Sequence, residues 1–300
     1  MLLGGAMDSY RAGRPARRSM IFDRRGLFAS VRGSARKWGV FMASVASVDG
    51  TSIDYDSAGS GPVIVFVAGV FNLRDTFTPL AAELSFDHTV LTYDRRGRGK
   101  SSDTAPYSIE REVEDLYALI EAAGGSASVF GYSSGAILAL KAVADGVAVE
   151  RLYLYEPPFR FDENQPAPPA DLPARLQALL DAGDPGAVVA TFQIEWVGLP
   201  QEVVNDAQRS PMWAQFEAMA QSAVYDAVIT TDLQRPTAEM AAVSSPTLVL
   251  QGDPTSPFLA TAAAGIARRL PNATHRILPV EAVHGIEPGG TAAVIREFEQ

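Results

Sequence analysis

Val129-Phe130-Gly131-Tyr132-Ser133-Ser134-Gly135-Ala136-Ile137-Leu138 decides how the rest of the chain is read: an apolar run enters G-x-S-x-G and leaves into a helical pattern. Residues 126 to 130 have the length and apolarity of a short buried strand. Beyond the motif, Ile137, Leu140, Lys141 and Ala144 recur at helical spacing until Gly146 stops the helix. A serine between two such elements sits on a turn too tight for a Cβ at either flanking glycine position. Gly131 and Gly135 meet that need, so the stretch predicts a nucleophile elbow with Ser133 at its tip.

Upstream, two alternating runs at residues 44 to 48 and 51 to 56 meet at Asp49-Gly50, a dipeptide suited to a tight hairpin turn. A buried strand at 63 to 67, a helix at 76 to 84 and a strand at 88 to 93 are expected next. That last strand ends in Asp94-Arg95-Arg96-Gly97-Arg98-Gly99-Lys100-Ser101. Ile109, Val113, Leu116 and Ile120 mark one face of a helix that Ser108 can cap and Gly124 can close. Downstream of the elbow, strands are expected at 151 to 155, 247 to 251 and 274 to 278, with a closing helix at 292 to 298. Strands that alternate with helices imply an α/β protein, with a mainly parallel sheet covered on both faces.

Between Pro157 and Ser245 the alternation stops. The segment begins proline-rich and continues as short helices with their own start signals: Asp171 ahead of Pro173, Asp184 before Pro185, Ser210 before Pro211. A stretch of about ninety residues is too long for a structureless loop. Residues 157 to 245 are therefore expected to form a helical cap over a core made of 42 to 156 and 246 to 300. The cap's aromatic residues, among them Trp196, Trp213 and Phe216, serve either its own core or the wall of an apolar substrate pocket under a lid. Phe71 and Tyr132 are the pocket candidates outside the cap.

With 300 residues, 47% of them hydrophobic, the chain can bury a sizeable core. It has three histidines and no cysteine, which removes disulfides and thiolate metal sites. The net charge of −10 is unevenly placed: residues 1 to 41 hold nine Arg or Lys against Asp8 and Asp23, which leaves about −17 for the rest. A globular part that acidic argues against a nucleic-acid surface. No run of eighteen apolar residues is present to span a membrane. Residues 1 to 41 show little hydrophobic periodicity and are expected to be a disordered basic leader. Arg24-Arg25-Gly26-Leu27-Phe28 resembles a twin-arginine export signal, but Arg32, Arg36 and Lys37 interrupt the place where an apolar region should follow. The expectation is an extension or upstream start ahead of Met42, and a cytoplasmic protein.

With the elbow, the Asp94 turn and the insertion in these positions, residues 44 to 300 resemble the α/β-hydrolase family. The turn matches the family's D-x-R-G-x-G-x-S pattern, and Tyr155-Glu156-Pro157-Pro158-Phe159 is similar to a strand end in a bacterial subset of uncharacterised hydrolases. The resemblance implies the α/β-hydrolase fold: a mainly parallel eight-stranded sheet, helices on both faces, and a helical cap inserted after the sixth strand. In fold the chain is then similar to esterases, lactonases, carbon–carbon bond hydrolases and cofactor-free haloperoxidases. Haloalkane dehalogenases and epoxide hydrolases of this fold use an aspartate at the elbow, where this chain has Ser133.

A serine hydroxyl is a poor nucleophile until a neighbour takes its proton, so the chemistry asks for a base. His88 precedes a strand and His275 opens one, which places both at the amino ends of the sheet, opposite the elbow. His284, in the loop after the last strand, lies at the carboxyl ends where parallel-sheet sites collect. It is the base by elimination and by family position. The acid is open between two residues. Most of the family places it in G-x-x-D after the penultimate strand; here Gly252-Asp253-Pro254-Thr255 has threonine at that place and Asp253 two residues early. Glu156 closes the preceding strand, a position from which a subset of the family takes its acid, and an unpaired buried carboxylate there would be costly. Glu156 is favoured and Asp253 is the alternative, with helix capping ahead of Ser256-Pro257 as the other role for Asp253. The resemblance further implies an oxyanion hole from the backbone N–H groups of Val70 and Ser134. Many relatives have His-Gly in the loop before Val70, where this chain has Ala68-Gly69.

The expectation is a serine hydrolase of an ester, lactone or related carbonyl bond acting on a small apolar substrate. It includes no metal or organic cofactor and no nucleic-acid or membrane partner. Two rivals stay open. One is a non-catalytic or weakly catalytic ligand-binding protein that keeps the fold, for which the displaced acid and Ala68 speak; the other is a C–C bond hydrolase or haloperoxidase-like enzyme of biosynthesis. No feature of the sequence selects an oligomeric state.

Overall fold

Asp49-Gly50 turns the chain as its composition predicts. In the computed structural model, which describes residues 41 to 163, 165 and 167 to 300, β1 (Phe41–Ala46) runs antiparallel to β2 (Ser52–Gly59). Gly50 takes a left-handed φ of 84°, and the Asp49 carboxylate accepts the Thr51 N–H at 3.0 Å. β1 starts earlier than the alternation suggests. Phe41 and Met42 pair with Ser57 and Asp56 on this edge of the sheet but leave their side chains exposed, so no burial pattern marks them in the sequence. Phe41, counted with the expected leader, is thus part of β1, and the rest of the expected leader lies outside the described residues.

Six further strands complete the sheet: β3 (Val63–Val67), β4 (Thr89–Tyr93), β5 (Ser128–Tyr132), β6 (Leu152–Tyr155), β7 (Thr247–Asp253) and β8 (Ala273–Pro279). Their order is β1-β2-β4-β3-β5-β6-β7-β8. β2 pairs antiparallel with both of its neighbours, and every pairing from β4 to β8 is parallel. The expectation of a mainly parallel eight-stranded sheet holds.

The core helices follow the expected alternation. A 3₁₀ turn at Arg74–Phe77 precedes α1 (Thr78–Leu84), where Pro79 occupies the first turn, the one place in a helix that tolerates it. α2 (Ile109–Ala122) and α3 (Ser134–Ala144) come next. Between β6 and β7 the chain is helical throughout its regular structure: α4 (Leu172–Asp181), α5 (Pro185–Thr191), a π-helical turn at Phe192–Trp196, α6 (Gln201–Gln208), α7 (Trp213–Glu217), α8 (Ala220–Asp232) and α9 (Ala238–Ala241). Asp184 caps α5 as its position suggests, accepting the Ala187 N–H at 2.8 Å. α10 (Pro257–Arg269) and α11 (Pro288–Glu299) complete the core.

Side-chain alternation in the strands divides the core in two. Val65, Val129 and Leu154 join Leu116 of α2, Ile137 of α3 and Ile266 of α10 on one face of the sheet. Ile64, Phe66, Phe130 and Tyr155 join Leu80 of α1 and Ile295 of α11 on the other. β5 and β6 are buried on both faces, which is why they read as continuous apolar runs. The inserted helices have a cluster of their own built on Leu172, Leu176, Val188, Phe192 and Val224. No helix among the described residues is long and apolar enough to cross a membrane.

Candidate active site

β5 passes into α3 through one strained residue. Ser133 takes φ 55° and ψ −125°, a conformation that a non-glycine residue keeps only when its surroundings hold it there. The neighbouring glycines permit it by letting backbones touch. A Cβ on Gly131 would lie 2.5 Å from Ala136 Cα, and one on Gly135 would lie 2.3 Å from Val67 O. Gly69 is equally closed, since its Cβ would meet Ser133 Cβ at 2.9 Å. Gly135→Ala is expected to lower stability by about 1–3 kcal/mol or more, because the clashing atoms are backbone and cannot step aside. A denaturant midpoint equal to wild type would show that strand and helix do not approach this closely.

The loop after β8 brings His284 against the ends of β5 and β6. Tyr132 Oη donates to His284 O at 2.5 Å and Tyr155 Oη donates to Gly285 O, while the Tyr132 ring stacks on the imidazole with centroids 4.7 Å apart. Burial, with the charge of Glu156 added, pushes both phenols above their usual range, so they stay protonated donors. His284 Nδ1 hydrogen-bonds Glu156 Oε2. Glu156, at φ 45° just past β6, is wholly buried, and its Oε1 accepts the Gly252 N–H at 2.9 Å.

Of the two acid candidates, Glu156 is the one brought to His284. Asp253 sits at the exposed end of β7, where its backbone oxygen accepts the Val280 N–H at 2.9 Å. Among the described residues its carboxylate has no hydrogen bond or ion pair. Nor does Asp253 cap the following helix, because Ser256 does so by accepting the Leu259 N–H at 3.2 Å. The other histidines lie away from the elbow. His88 is buried between Asp87 at 2.9 Å and Glu299 of α11 at 3.0 Å. His275 sits on β8 opposite Val249, where burial and the nearby Arg268 lower its pKa.

The loop after β3 carries Ala68, Gly69, Val70 and Phe71. Val70 N–H donates to Ser134 Oγ at 3.1 Å, and Ser134 Oγ donates to Asp226 Oδ1 at 2.6 Å. For Val70 to serve an oxyanion this donation has to be shared or given up. Phe71, at φ 55°, turns its ring into the inserted helices, 5.5 Å from Phe192 and 5.3 Å from Phe216. Trp213 meets Phe216 edge-on at 6.3 Å, and Trp196 stacks on Phe192 at 5.7 Å. Phe71, Trp196, Trp213 and Phe216 thus form one connected set of rings. Tyr132 is separate from it, packed beneath His284. Among the described residues no cluster of His, Cys, Asp or Glu is arranged to hold a metal ion.

The family model described as "Alpha/beta hydrolase family" matches residues 64–288, most of the chain. The chain belongs to the alpha/beta hydrolase family. A crystal structure of an alpha/beta hydrolase from Sphaerobacter thermophilus is 43% identical, covering 86% of this chain and 100% of that one, with a TM-score of 0.80. A thermophilic esterase from Thermogutta terrifontis shares the fold at 22% identity and TM-score 0.65, over 86% of this chain and 98% of that one. Among curated proteins, the uncharacterized hydrolase YraK of Bacillus subtilis is 38% identical over 97 residues. That match takes in 31% of this chain and 36% of YraK, so the chain spans about a third of that relative's length.

This alpha/beta hydrolase carries a further group of buried charged residues next to the elbow, which no local motif in the sequence marks as functional. Arg95 and Arg98, from the turn after β4, are almost wholly buried. Arg95 Nη1 donates to Ala68 O at 3.0 Å; Arg98 Nη1 donates to Gly69 O at 2.5 Å and Asn72 O at 3.0 Å. Both also reach Asp226 on α8. The arginines therefore fix the carbonyls of the loop that carries Val70 and Phe71, and Asp226 fixes the arginines. A signal for Asp226 was present: it is an acid inside Ala223-Val224-Tyr225-Asp226-Ala227-Val228-Ile229, an otherwise apolar helical run.

Proposed function

We propose that this alpha/beta hydrolase cleaves ester bonds, or chemically related lactone and acyl bonds, with Ser133 as nucleophile, His284 as base and Glu156 as the acid that orients the imidazole. The observation that carries the reading is the hydrogen bond from His284 Nδ1 to a wholly buried Glu156, beside a serine held in a strained elbow. With Nδ1 committed to the carboxylate, Nε2 is the nitrogen left to accept the Ser133 proton. Ser133 Oγ attacks the carbonyl carbon as that proton moves to His284, and the charge of Glu156 stabilises the imidazolium. The tetrahedral oxyanion takes the Ser134 N–H and the Val70 N–H, the latter released from Ser134 Oγ. The leaving alcohol collects the proton from His284. Water then attacks the acyl-enzyme by the same route, and the acid product leaves.

A second reading, a ligand-binding protein with little turnover, is favoured by one observation: Val70 N–H is already engaged by Ser134 Oγ. Labelling with a fluorophosphonate separates the two. The hydrolase reading expects stoichiometric modification at Ser133, located by peptide mass, with none in Ser133→Ala, together with turnover of short p-nitrophenyl esters. An unlabelled wild-type chain that turns over no ester would remove it.

A further inference from the structure

A cavity of about 460 Å³ lies where the ends of β6 and β7 meet the inserted helices. Pro158 and Arg160 line it from the chain beyond β6, Thr230 and Gln234 from the C-terminal end of α8 and the residues after it, Trp196 from the π-helical turn, and Phe258 from α10. Its place ties it to the candidate site in three ways. Arg160 follows Glu156 by four residues, a reach of at most ~14 Å. Thr230 is one helical turn along α8 from Asp226, which holds Ser134. Trp196 stacks on Phe192, which meets Phe71 of the loop after β3.

Arg160 is the unusual member. It is 9% exposed, and the other arginines buried to this degree, Arg74, Arg95, Arg96 and Arg98, each hold at least one carboxylate. Arg160 forms no ion pair among the described residues. Nη1 donates to Gln234 Oε1 at 2.6 Å, Nη2 donates to the Gln165 carbonyl, and Nε has no partner. Glu195 also borders the cavity, but Arg175 takes both of its oxygens from the other side. A guanidinium withdrawn from water without a counter-charge is costly, and among the described residues the acceptors bonded to Arg160 are neutral.

Resting on the hydrolase reading above, we infer that this cavity is an acid-binding subsite and that the substrate is an ester bearing a free carboxylate remote from the scissile carbonyl. The carboxylate pairs with Arg160, whose fork geometry suits two parallel N–H···O bonds. A monoanion fits better than a phosphate dianion. Among the described residues Arg160 is the only cation lining the cavity, so a second negative charge would go unmatched beside Glu195. Trp196, Phe258 and Pro158 supply apolar contact for the linking carbons, as small-molecule sites do around a few polar anchors. The small apolar substrate expected from the sequence is thereby replaced by an amphipathic one.

The test uses the full chain and two matched probes, mono-4-nitrophenyl adipate and 4-nitrophenyl hexanoate, which differ by a terminal carboxylate. Wild type should favour the acid probe by about tenfold or more in kcat/KM, and Arg160→Gln should collapse that ratio, mainly through KM. Arg160→Lys, which keeps the charge and loses the fork, should fall between them. Equal kcat/KM for the two probes in wild type, or an unchanged ratio in Arg160→Gln, would overturn the subsite. Calorimetry of adipate with Ser133→Ala separates this idea from the hydrolase reading. Adipate that binds Ser133→Ala but not Ser133→Ala/Arg160→Gln, in a chain that hydrolyses nothing, keeps the acid subsite and removes the hydrolase. Turnover of the neutral ester without adipate binding does the reverse. If Arg160→Gln does not fold, the wild-type preference and the Arg160→Lys ratio decide.

Discussion

Glu156→Gln should lower kcat by roughly 10³- to 10⁴-fold while the melting temperature stays close to wild type. The amide keeps the shape of the side chain, and its oxygen can still accept the Gly252 N–H that Oε1 now takes at 2.9 Å. What changes lies on the other side. An NH₂ facing His284 Nδ1 asks that nitrogen to be the acceptor, which puts the proton on Nε2, the position that has to be empty to receive the Ser133 proton. The imidazolium that would form in the proposed mechanism as serine attacks would also lose its counter-charge. Asp253→Asn is the control, because among the described residues its carboxylate at the exposed end of β7 has no hydrogen bond or ion pair, and the change should cost less than about threefold. Steady-state kinetics on one ester, with thermal melts of both variants, check this. A large loss in Asp253→Asn together with a mild one in Glu156→Gln would return the acid to the loop after β7.

The parts of this site that the sequence exposes are the ones where chemistry and backbone make the same demand. Gly131, Ser133 and Gly135 stand out because the turn forbids other residue types, and His284 because strand direction sends the remaining histidines elsewhere. Glu156 is legible as an acid that closes an apolar strand, a placement with no stability rationale unless it is paired. The Arg95, Arg98 and Asp226 group is harder to read. Its members come from a turn and a helix more than 120 residues apart, and no local periodicity reports a contact made across that separation. α8 gives little warning either, since a helix buried nearly all round shows no polar stripe to betray which face meets α3 and which meets the inserted helices. The donation from Val70 to Ser134 is set by a side-chain rotamer, which no sequence pattern encodes. The early start of β1 escaped for the opposite reason, because exposed edge residues have nothing to bury.

The second large effect concerns Asp226. Its Oδ1 accepts from Arg95 Nη1 at 2.8 Å and from Ser134 Oγ at 2.6 Å, and its Oδ2 takes Arg98 Nη2. Arg95 has a second partner in Glu112, bidentate at 2.6 and 2.5 Å, which Tyr107 Oη supports at 2.8 Å. Among the described residues Asp226 is the only carboxylate paired with Arg98, whose other partners are backbone carbonyls. Burial and the neighbouring Arg95 already pull the Arg98 pKa down, so it is the charge least able to lose its partner. Asp226→Ala leaves that guanidinium buried and unpaired, and the expected loss of unfolding free energy is about 3–5 kcal/mol. Removing the exposed Arg209–Asp206 pair by Asp206→Ala should hardly move the unfolding curve. If the penalty comes from the stranded charge, taking away both charges should return part of it, and Asp226→Leu with Arg98→Met should unfold later than Asp226→Ala. The double variant should still be a poor enzyme. Arg98 also holds the carbonyls of Gly69 and Asn72, and Asp226 holds the hydroxyl that receives the Val70 N–H, so stability can return without the geometry of the loop after β3. Equilibrium urea unfolding of the three proteins, read beside their kcat, decides. A loss below about 1 kcal/mol in Asp226→Ala would show the ion cluster to be incidental to both stability and site.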